Sequence, residues 1–226
     1  MIDYKYYFND ENKDTILLIH GWNTTSLYME GFIKAFSTSY NIINVDLFNK
    51  LNKPYKIENF LDDLNYIIRQ HSYNKLVIIG HSFGGKLAYF YSKKYHVDKL
   101  VLIAPSLVKP RKKLIKYIKV KLYKWLSKHN LKIPKCLKGS KDYVQAKGYL
   151  KQTFLLCHNK YIKFINDNAP QTLVIGFDKD QQVKKYQIRK IKKYIPSSII
   201  KFYPGNHFAY LDYIKEIRID FDEYLS

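Results

Sequence analysis

Short apolar runs, rich in β-branched residues, recur along the chain and predict strands that are buried on both faces of a sheet. They lie at 14–19, 42–47, 76–79, 99–104, 172–175 and 199–203, and residues 4–8 are expected to add an edge strand. Amphipathic stretches separate these runs, and helices are predicted at 28–36, 57–68, 86–95, 183–194 and 210–224. Strands that alternate with helices indicate an α/β fold, a mostly parallel sheet with helices on both faces.

One of the predicted strands leads into a motif that is typical of catalytic serines. The apolar run 76–79 is followed by Gly-His-Ser-Phe-Gly at 80–84 and then by the predicted helix at 86–95. A buried strand that turns sharply into a helix leaves the residue at the turn exposed on a strained backbone. Ser82 is therefore the candidate nucleophile. The alternative is an ordinary glycine-rich turn, but the flanking strand and helix favour the nucleophile.

A serine hydroxyl needs a base, and the base needs a carboxylate that orients it. His207 is the candidate base, because Gly205 and Asn206 before it suit a tight turn after the last predicted strand. Two carboxylates, Asp178 and Asp180, follow the preceding strand. We choose Asp180 as the partner of His207, with Asp178 as the alternative acid or a turn residue. His20 and His81 are interpreted as hydrogen-bonded structural residues.

Attack on a carbonyl also needs donors for the developing oxyanion. The backbone N–H of Phe83, at the start of the helix after Ser82, is one expected donor. The backbone N–H of Trp22 is the second, and the alternative role for Trp22 is an aromatic wall of the pocket. All these candidates follow the carboxyl ends of predicted strands, where ligands bind in parallel sheets.

With these residues the chain resembles the α/β-hydrolase superfamily, in its serine-nucleophile branch of esterases, lipases and thioesterases. The resemblance covers essentially the full length, and the order Ser82, Asp180, His207 matches the family's order of nucleophile, acid and base. Three segments are similar to family motifs: His-Gly-Trp at 20–22 to the oxyanion loop, 80–85 to the nucleophile elbow, and 205–208 to the histidine loop.

The sequence departs from the family pattern at two places. Alignment of the acid strand without gaps puts Asp180 on the acid position, but the glycine usual three residues earlier falls on Phe177, with Gly176 one place early. Asp178 therefore stays open as the acid. The loop after Asp46 lacks the usual Pro-Gly-x-Gly. The serine at the elbow argues against the aspartate-nucleophile branches, which are dehalogenases and epoxide hydrolases.

The resemblance implies a serine hydrolase that cleaves a carboxylic ester or thioester through an acyl-enzyme intermediate. Ser82 attacks the carbonyl, His207 transfers the proton and Asp180 orients His207. No metal or organic cofactor is expected. Two alternatives stay open: the same triad used on a carbon–carbon bond or as a cofactor-free perhydrolase, and a non-catalytic protein of this fold that binds an anionic surface.

The strand pattern stops over residues 106–170, where the family usually inserts a helical lid. We interpret this segment as a lid within a single domain that spans 1–226. A second lid helix is expected from residues 142–143 and 145–156. The first lid helix, at 111–128, has an apolar stripe that is expected to face the active site: Leu114, Ile118, Leu122, Trp125 and Leu126. The lysines of this helix are expected to face solvent: Lys112, Lys113, Lys116, Lys119, Lys124 and Lys128.

The chain is strongly basic, with a formal net charge of +20 at pH 7. Arginine occurs only at 69, 111, 189 and 218, so lysine carries nearly all the positive charge. One explanation is a compositional bias, since asparagine, isoleucine and tyrosine are also abundant. The other is a basic face on the lid that docks an anionic phospholipid surface or an acidic acyl carrier protein. No recognition motif for a specific nucleic acid accompanies the charge.

The cysteine content and the hydropathy pattern favour a cytoplasmic protein, with peripheral association at a membrane as an alternative. Cys136 and Cys157 are too few for a disulfide framework and lack the spacing of zinc ligands, so both are expected to be inert thiols. The first twenty residues show no signal-peptide pattern, and no apolar run approaches the roughly 20 residues that a membrane span requires.

Overall fold

The computed structural model describes residues 1–111, 114–132, 134, 141–166 and 168–225. Within these residues seven strands form one sheet: β1 (Asp3–Tyr7), β2 (Thr15–Ile19), β3 (Asn41–Asp46), β4 (Leu76–His81), β5 (Lys99–Ile103), β6 (Gln171–Phe177) and β7 (Ile199–Tyr203). The order across the sheet is β1-β3-β2-β4-β5-β6-β7. β1 runs antiparallel to β3, and the other neighbours are parallel. The predicted mostly parallel sheet is confirmed.

Helices cover both faces of the sheet, as predicted. Those described are α1 (Glu30–Phe36), α2 (Ile57–Ile68), α3 (Phe83–Ser92), α4 (Leu114–Lys128), α5 (Lys141–Gln145), α6 (Gly148–Cys157), α7 (Lys185–Tyr194) and α8 (Ile214–Leu225). Residues of α2, α3 and α7 join one hydrophobic core, and residues of α1 and α8 join the other. β4 supplies both cores because alternate side chains of a strand point to opposite faces. Leu76 and Ile78 enter the first core, whereas Val77 and Ile79 enter the second.

Several helix boundaries differ from the prediction for identifiable reasons. α3 begins at Phe83 because the chain turns into the helix directly after Ser82. The predicted helix at 28–36 is a 3₁₀ turn, Ser26–Met29, followed by α1. The second predicted lid helix, from residues 142–143 and 145–156, is divided into α5 and α6. Gly148 has φ +51° at that point, a left-handed conformation that glycine adopts without steric cost.

The segment between β5 and β6 contains α4, α5 and α6. The predicted residues Lys112, Lys113 and Cys136 lie outside the described part of the chain, and so do the side chains of Leu114, Lys116 and Lys119. Among the described helices, none combines the length and the apolar composition needed to cross a membrane.

Candidate active site

Ser82 occupies the sharp turn between β4 and α3. Its backbone has φ 52° and ψ −106°, in the positive-φ region that is costly for residues other than glycine. The amide of Ser82 donates to the carbonyl of Ile103 at 2.8 Å, and the carbonyl of Ser82 accepts from the amide of Lys86 at 3.1 Å. These hydrogen bonds hold the strained turn that the Gly-x-Ser-x-Gly motif predicts.

The two glycines of the motif allow the backbone to pass closely at this turn. A Cβ atom on Gly84 would lie 2.1 Å from the carbonyl oxygen of Ile19 in β2. A Cβ atom on Gly80 would lie 2.5 Å from the carbonyl oxygen of Gly84 itself. Any side chain at either position would therefore push α3 away from the sheet and displace Ser82.

His207 lies in the loop after β7 and contacts Asp180, which lies in the loop after β6. The distance from His207 Nδ1 to Asp180 Oδ2 is 2.6 Å, and each residue is only 4% exposed. Because a carboxylate can only accept, Nδ1 carries the proton, which leaves Nε2 of a neutral ring as an acceptor. Asp180 Oδ1 accepts from the amides of Gln182 at 2.7 Å and Val183 at 3.0 Å. These bonds orient the carboxylate toward the imidazole.

Asp178, the alternative acid, has a different role in the structure. Its side chain is exposed, and its Oδ1 accepts from the amide of Gly205 at 2.8 Å. This contact ties the loop after β6 to the turn that precedes His207. Of the two carboxylates, Asp180 is thus the one that contacts His207.

His81 and His20 are both buried and hydrogen-bonded, as expected for structural residues. His81 Nε2 donates to the carbonyl of His207 at 3.0 Å and so supports the histidine loop. Burial, together with the nearby His207, holds the pKa of His81 well below its usual range, so the ring stays neutral. His20 Nδ1 donates to the carbonyl of Gly21 at 2.8 Å, and its Nε2 accepts from the amide of Leu47 at 2.9 Å.

The two predicted oxyanion donors lie beside Ser82. Phe83 is the first residue of α3, so no carbonyl of its own helix can accept its amide proton. Trp22 lies in the loop after β2 and lines the same cavity as Ser82 and Phe83. The indole ring of Trp22 also packs edge-to-face against Phe83 and Phe154, with ring centroids 5.3 Å and 5.2 Å apart. The indole of Trp22 therefore forms an aromatic wall of the cavity, which is the alternative role predicted for this residue.

Ser82 and His207 line one cavity of about 750 Å³, a size typical of small-molecule sites. Tyr143 of α5 and Phe154 and Leu155 of α6 contribute an apolar part of the cavity wall. The segment between β5 and β6 thus reaches the candidate site through α5 and α6.

The expectation that the apolar stripe of α4 faces the active site is wrong for the described side chains. Ile118, Leu122 and Trp125 are exposed, with Trp125 at 55%, and the described cavity wall includes no residue of α4. Helices α5 and α6 occupy the position next to the cavity instead. Ile118, Leu122 and Trp125 of the stripe are therefore left on the surface.

Lys86 is a pocket residue that the sequence analysis missed. It lies in α3, four residues after Ser82, and its side chain is 2% exposed in the wall of the cavity. Its Nζ donates to the carbonyls of Cys157 at 3.4 Å and His158 at 3.3 Å. The sequence did contain a signal for this residue. Lys86 is the single charged residue among the glycine, alanine, leucine and aromatic residues at 83–91, and a charged residue within a helix that packs against the sheet is expected to have a specific partner.

Cys157 matches the expectation of an unreactive thiol. It is buried, its Sγ donates to the carbonyl of Tyr55 at 3.4 Å, and burial raises the pKa of the thiol to about 12. Within the described residues, no group of three or more His, Cys, Asp or Glu side chains is arranged to hold a metal ion.

Part of the chain matches a known protein family. The sequence model of the alpha/beta hydrolase fold matches residues 14–127. This stretch begins just before β2 and ends within α4, so it includes the elbow at Ser82 but neither Asp180 nor His207.

Curated relatives match only over part of their length. The chain is 30% identical over 93 residues to Epoxide hydrolase 3 of Xenopus tropicalis, and the aligned region covers 38% of this chain and 25% of that protein. It is 27% identical over 103 residues to Epoxide hydrolase 4 of Homo sapiens, and the aligned region covers 42% of this chain and 28% of that protein. The chain thus spans about a quarter of these relatives.

Solved structures match over nearly the whole chain, at identities that indicate the fold alone. An esterase from Exiguobacterium antarcticum has a TM-score of 0.72 and 17% identity, over 99% of this chain and 95% of that one. MenH from S. aureus has a TM-score of 0.68 and 17% identity, over 98% of this chain and 97% of that one.

Proposed function

Since the chain belongs to the alpha/beta hydrolase fold family, we propose that it is a serine hydrolase that cleaves a carboxylic ester or thioester. The observation that carries this proposal is the 2.6 Å hydrogen bond between His207 and Asp180, in loops beside a cavity that Ser82 also lines. A nucleophile on a strained turn, a base and a buried acid are the three parts that acyl transfer by serine requires.

The proposed reaction proceeds through an acyl-enzyme. His207 Nε2 takes the proton of Ser82 Oγ as the oxygen attacks the carbonyl carbon, and the oxyanion accepts from the amides of Trp22 and Phe83. The tetrahedral intermediate collapses when His207 returns the proton to the leaving alcohol or thiol. Water, activated by the same histidine, then releases the acid and restores the serine. Asp180 stabilises the imidazolium in both halves, and no step needs a metal or an organic cofactor.

The residue at the elbow separates this proposal from the activity named for the curated relatives. A serine that opened an epoxide would form an ether, which water does not readily hydrolyse, so the enzyme would be trapped after one turnover. An aspartate forms an ester, which can be hydrolysed. Ser82 therefore favours acyl substrates over epoxides.

The test is hydrolysis of p-nitrophenyl esters of two to sixteen carbons and of matching thioesters by the wild type and Ser82→Ala. Ser72→Ala is the matched control, because Ser72 is exposed in the loop that precedes β4, at the opposite end of that strand from Ser82. We expect turnover in the wild type and in Ser72→Ala and a loss of at least about 10³-fold in Ser82→Ala. If the folded wild type cleaves no ester or thioester, the proposal fails. Assays with β-diketones, hydrogen peroxide and epoxides then distinguish carbon–carbon cleavage, perhydrolysis, epoxide opening and a non-catalytic role.

We further propose a cytoplasmic protein that associates peripherally with anionic membranes through α4. Ile118, Leu122 and Trp125 are exposed and follow one another at helical spacing, and Lys124 and Lys128 are exposed beside them. An apolar stripe flanked by lysines suits the boundary between headgroups and acyl chains of an anionic bilayer. An acidic carrier protein would satisfy the lysines, but it offers less burial for a tryptophan and two aliphatic side chains.

A further inference from the structure

Lys86 presents a cation in the wall of the cavity that contains the candidate nucleophile. It follows Ser82 by four residues, and its amide donates to the carbonyl of Ser82 at 3.1 Å. Residues four apart lie on the same face of a helix, about 6 Å apart along its axis. Ser82 precedes the first residue of α3 and Lys86 lies one turn into that helix, and both residues line the same cavity.

The ammonium group has only weak partners within the described residues. Its two hydrogen bonds, to the carbonyls of Cys157 and His158, are long at 3.4 Å and 3.3 Å. The ring of Tyr161 lies with its centroid 4.9 Å from Nζ. No described carboxylate lies within 4 Å of Lys86 Nζ, and burial lowers the pKa of this lysine to about 8. A buried ammonium with no anion beside it destabilises a fold, so packing does not explain the lysine.

The rest of the cavity wall leaves the cation available to a ligand. Among the described residues that line the cavity, none is an aspartate or a glutamate. Gln187 is already occupied, since its Nε2 donates to the carbonyl of Val108 at 2.7 Å and its Oε1 accepts from the amide of Lys184 at 3.1 Å. Within the described part of the chain, two carbonyls accept from the three N–H groups of Lys86, so one N–H is left for an anion in the cavity and no carboxylate competes for it.

We propose that Lys86 binds a carboxylate of the substrate, so that the preferred substrate is an ester or thioester with a carboxylate a few carbons from the scissile carbonyl. This inference rests on the proposed function, because it takes Ser82 as the nucleophile. The ammonium of Lys86 pairs with the substrate carboxylate and replaces the water that this carboxylate loses when it enters the cavity. The ion pair also holds the scissile carbonyl of the substrate over Ser82. The carboxylate belongs to the acyl part or to the alcohol part, and the two arrangements are separated by experiment.

Three esters of similar size test the proposal. Monomethyl glutarate carries the carboxylate in the acyl part, 3-acetoxypropanoate carries it in the alcohol part, and methyl pentanoate carries none. Methanol or acetate release is followed by NMR for the wild type, Lys86→Met and Lys86→Arg. Met has similar length without charge, and Arg keeps the charge. Binding of glutarate and of the uncharged pentanamide is measured by calorimetry as a readout that does not depend on turnover.

We expect the wild type to prefer one of the two anionic esters over methyl pentanoate. Lys86→Met should lower kcat/KM for that ester by about 10- to 100-fold, mainly through KM, because the substrate carboxylate loses its hydrogen bond to a charged group. The ratio of kcat/KM for that ester to kcat/KM for methyl pentanoate should therefore fall in Lys86→Met, and Lys86→Arg should restore part of this ratio. Glutarate should bind the wild type and not Lys86→Met.

The outcomes separate this inference from the proposed function. Ser82-dependent turnover without any preference for a carboxylate, or an equal loss on all three esters in Lys86→Met, overturns the role of Lys86 and leaves the esterase in place. Binding of glutarate that depends on Lys86, with no ester or thioester cleaved, overturns the proposed function and supports the anion site.

Discussion

The imidazole of His207 donates to the carboxylate of Asp180 at 2.6 Å, although the two residues are 27 positions apart. β6 and β7 are parallel neighbours, so the loops that leave their carboxyl ends meet at one edge of the sheet. Asp178, two residues earlier in the same loop, is exposed and contacts Gly205 instead. A shift of two residues within this loop thus separates a buried acid from a surface turn residue.

This geometry predicts different effects for the two carboxylates. Asp180→Asn should lower kcat on p-nitrophenyl esters by about 10³- to 10⁴-fold, because an amide no longer selects the tautomer or stabilises the imidazolium. Asp178→Asn should change kcat by less than about 3-fold, since an amide oxygen can still accept from Gly205. Circular dichroism checks that both variants are folded to the same extent. Equal losses of kcat in the two variants would then contradict the assignment of Asp180.

The glycine at the elbow should tolerate no side chain. Gly84→Ala places a Cβ atom 2.1 Å from the carbonyl oxygen of Ile19, so we expect a loss of at least about 3 kcal/mol in the free energy of unfolding. Gly148→Ala is the control, because a Cβ atom there meets nothing within 4 Å and only the φ of +51° opposes it. That variant should lose about 1–2 kcal/mol. Urea denaturation measures both, and a smaller loss in Gly84→Ala than in Gly148→Ala would refute the packing argument.

The buried Lys86 should make stability depend on alkaline pH. The pKa of a lysine is 10.5 in the unfolded chain and about 8 at Lys86 in the fold. Between these values the unfolded chain binds more protons, so the contribution of Lys86 to stability improves as pH rises from about 8 to 10.5. Lys86→Met should therefore be more stable than the wild type at pH 7, by up to about 3 kcal/mol, and this advantage should shrink near pH 10.

Denaturant unfolding at pH 7 and pH 10 checks this prediction, with the exposed Lys75→Met as control. The titratable side chains beside Lys86 are the thiol of Cys157 and the phenol of Tyr161. Burial raises the pKa of Cys157 to about 12 and also raises the pKa of Tyr161. Neither the thiol nor the phenol therefore becomes negatively charged over the pH range of the experiment. A Lys86→Met variant that is less stable than the wild type at pH 7 would point to a packing role.

The exposed surface of α4 should bind anionic bilayers. We expect the wild type to bind vesicles of equal parts phosphatidylglycerol and phosphatidylcholine, with an affinity that falls as salt rises. Replacement of the exposed Lys124, Lys128 and Lys132 by glutamate should weaken binding by at least about 100-fold. Trp125→Ala should weaken it at all salt concentrations, because that contribution is apolar.

A control with the same charge change tests whether α4 itself is responsible. Lys190, Lys193 and Lys215 are exposed on α7 and α8, and their replacement by glutamate gives an identical net charge. Equal weakening in the two triple variants would attribute binding to the net charge of +20 alone. Vesicle binding that is absent, together with capture of an acidic acyl carrier protein that depends on Lys124 and Lys128, would replace the membrane by the carrier protein.

The local pattern was sufficient for most of the fold and for the position of the candidate nucleophile. Continuous apolar runs predict buried parallel strands because such strands are covered on both faces. The elbow is equally local, since Gly80, Ser82 and Gly84 lie within five residues and their spacing is a direct requirement of the turn. His207 was also predictable, because it follows a turn after the last strand.

The choice between Asp178 and Asp180, the surface position of the α4 stripe and the burial of Lys86 depended on the tertiary structure. Both carboxylates follow the same strand, and only the path of the loop decides which one reaches His207. An amphipathic helix carries the same pattern whether its apolar side meets a cavity or remains exposed, and α5 and α6 take the place beside the cavity. Lysines are abundant throughout this chain, so composition could not single out Lys86. Its significance comes from a neighbourhood assembled by α3 and α6, which are distant in sequence and adjacent only after folding.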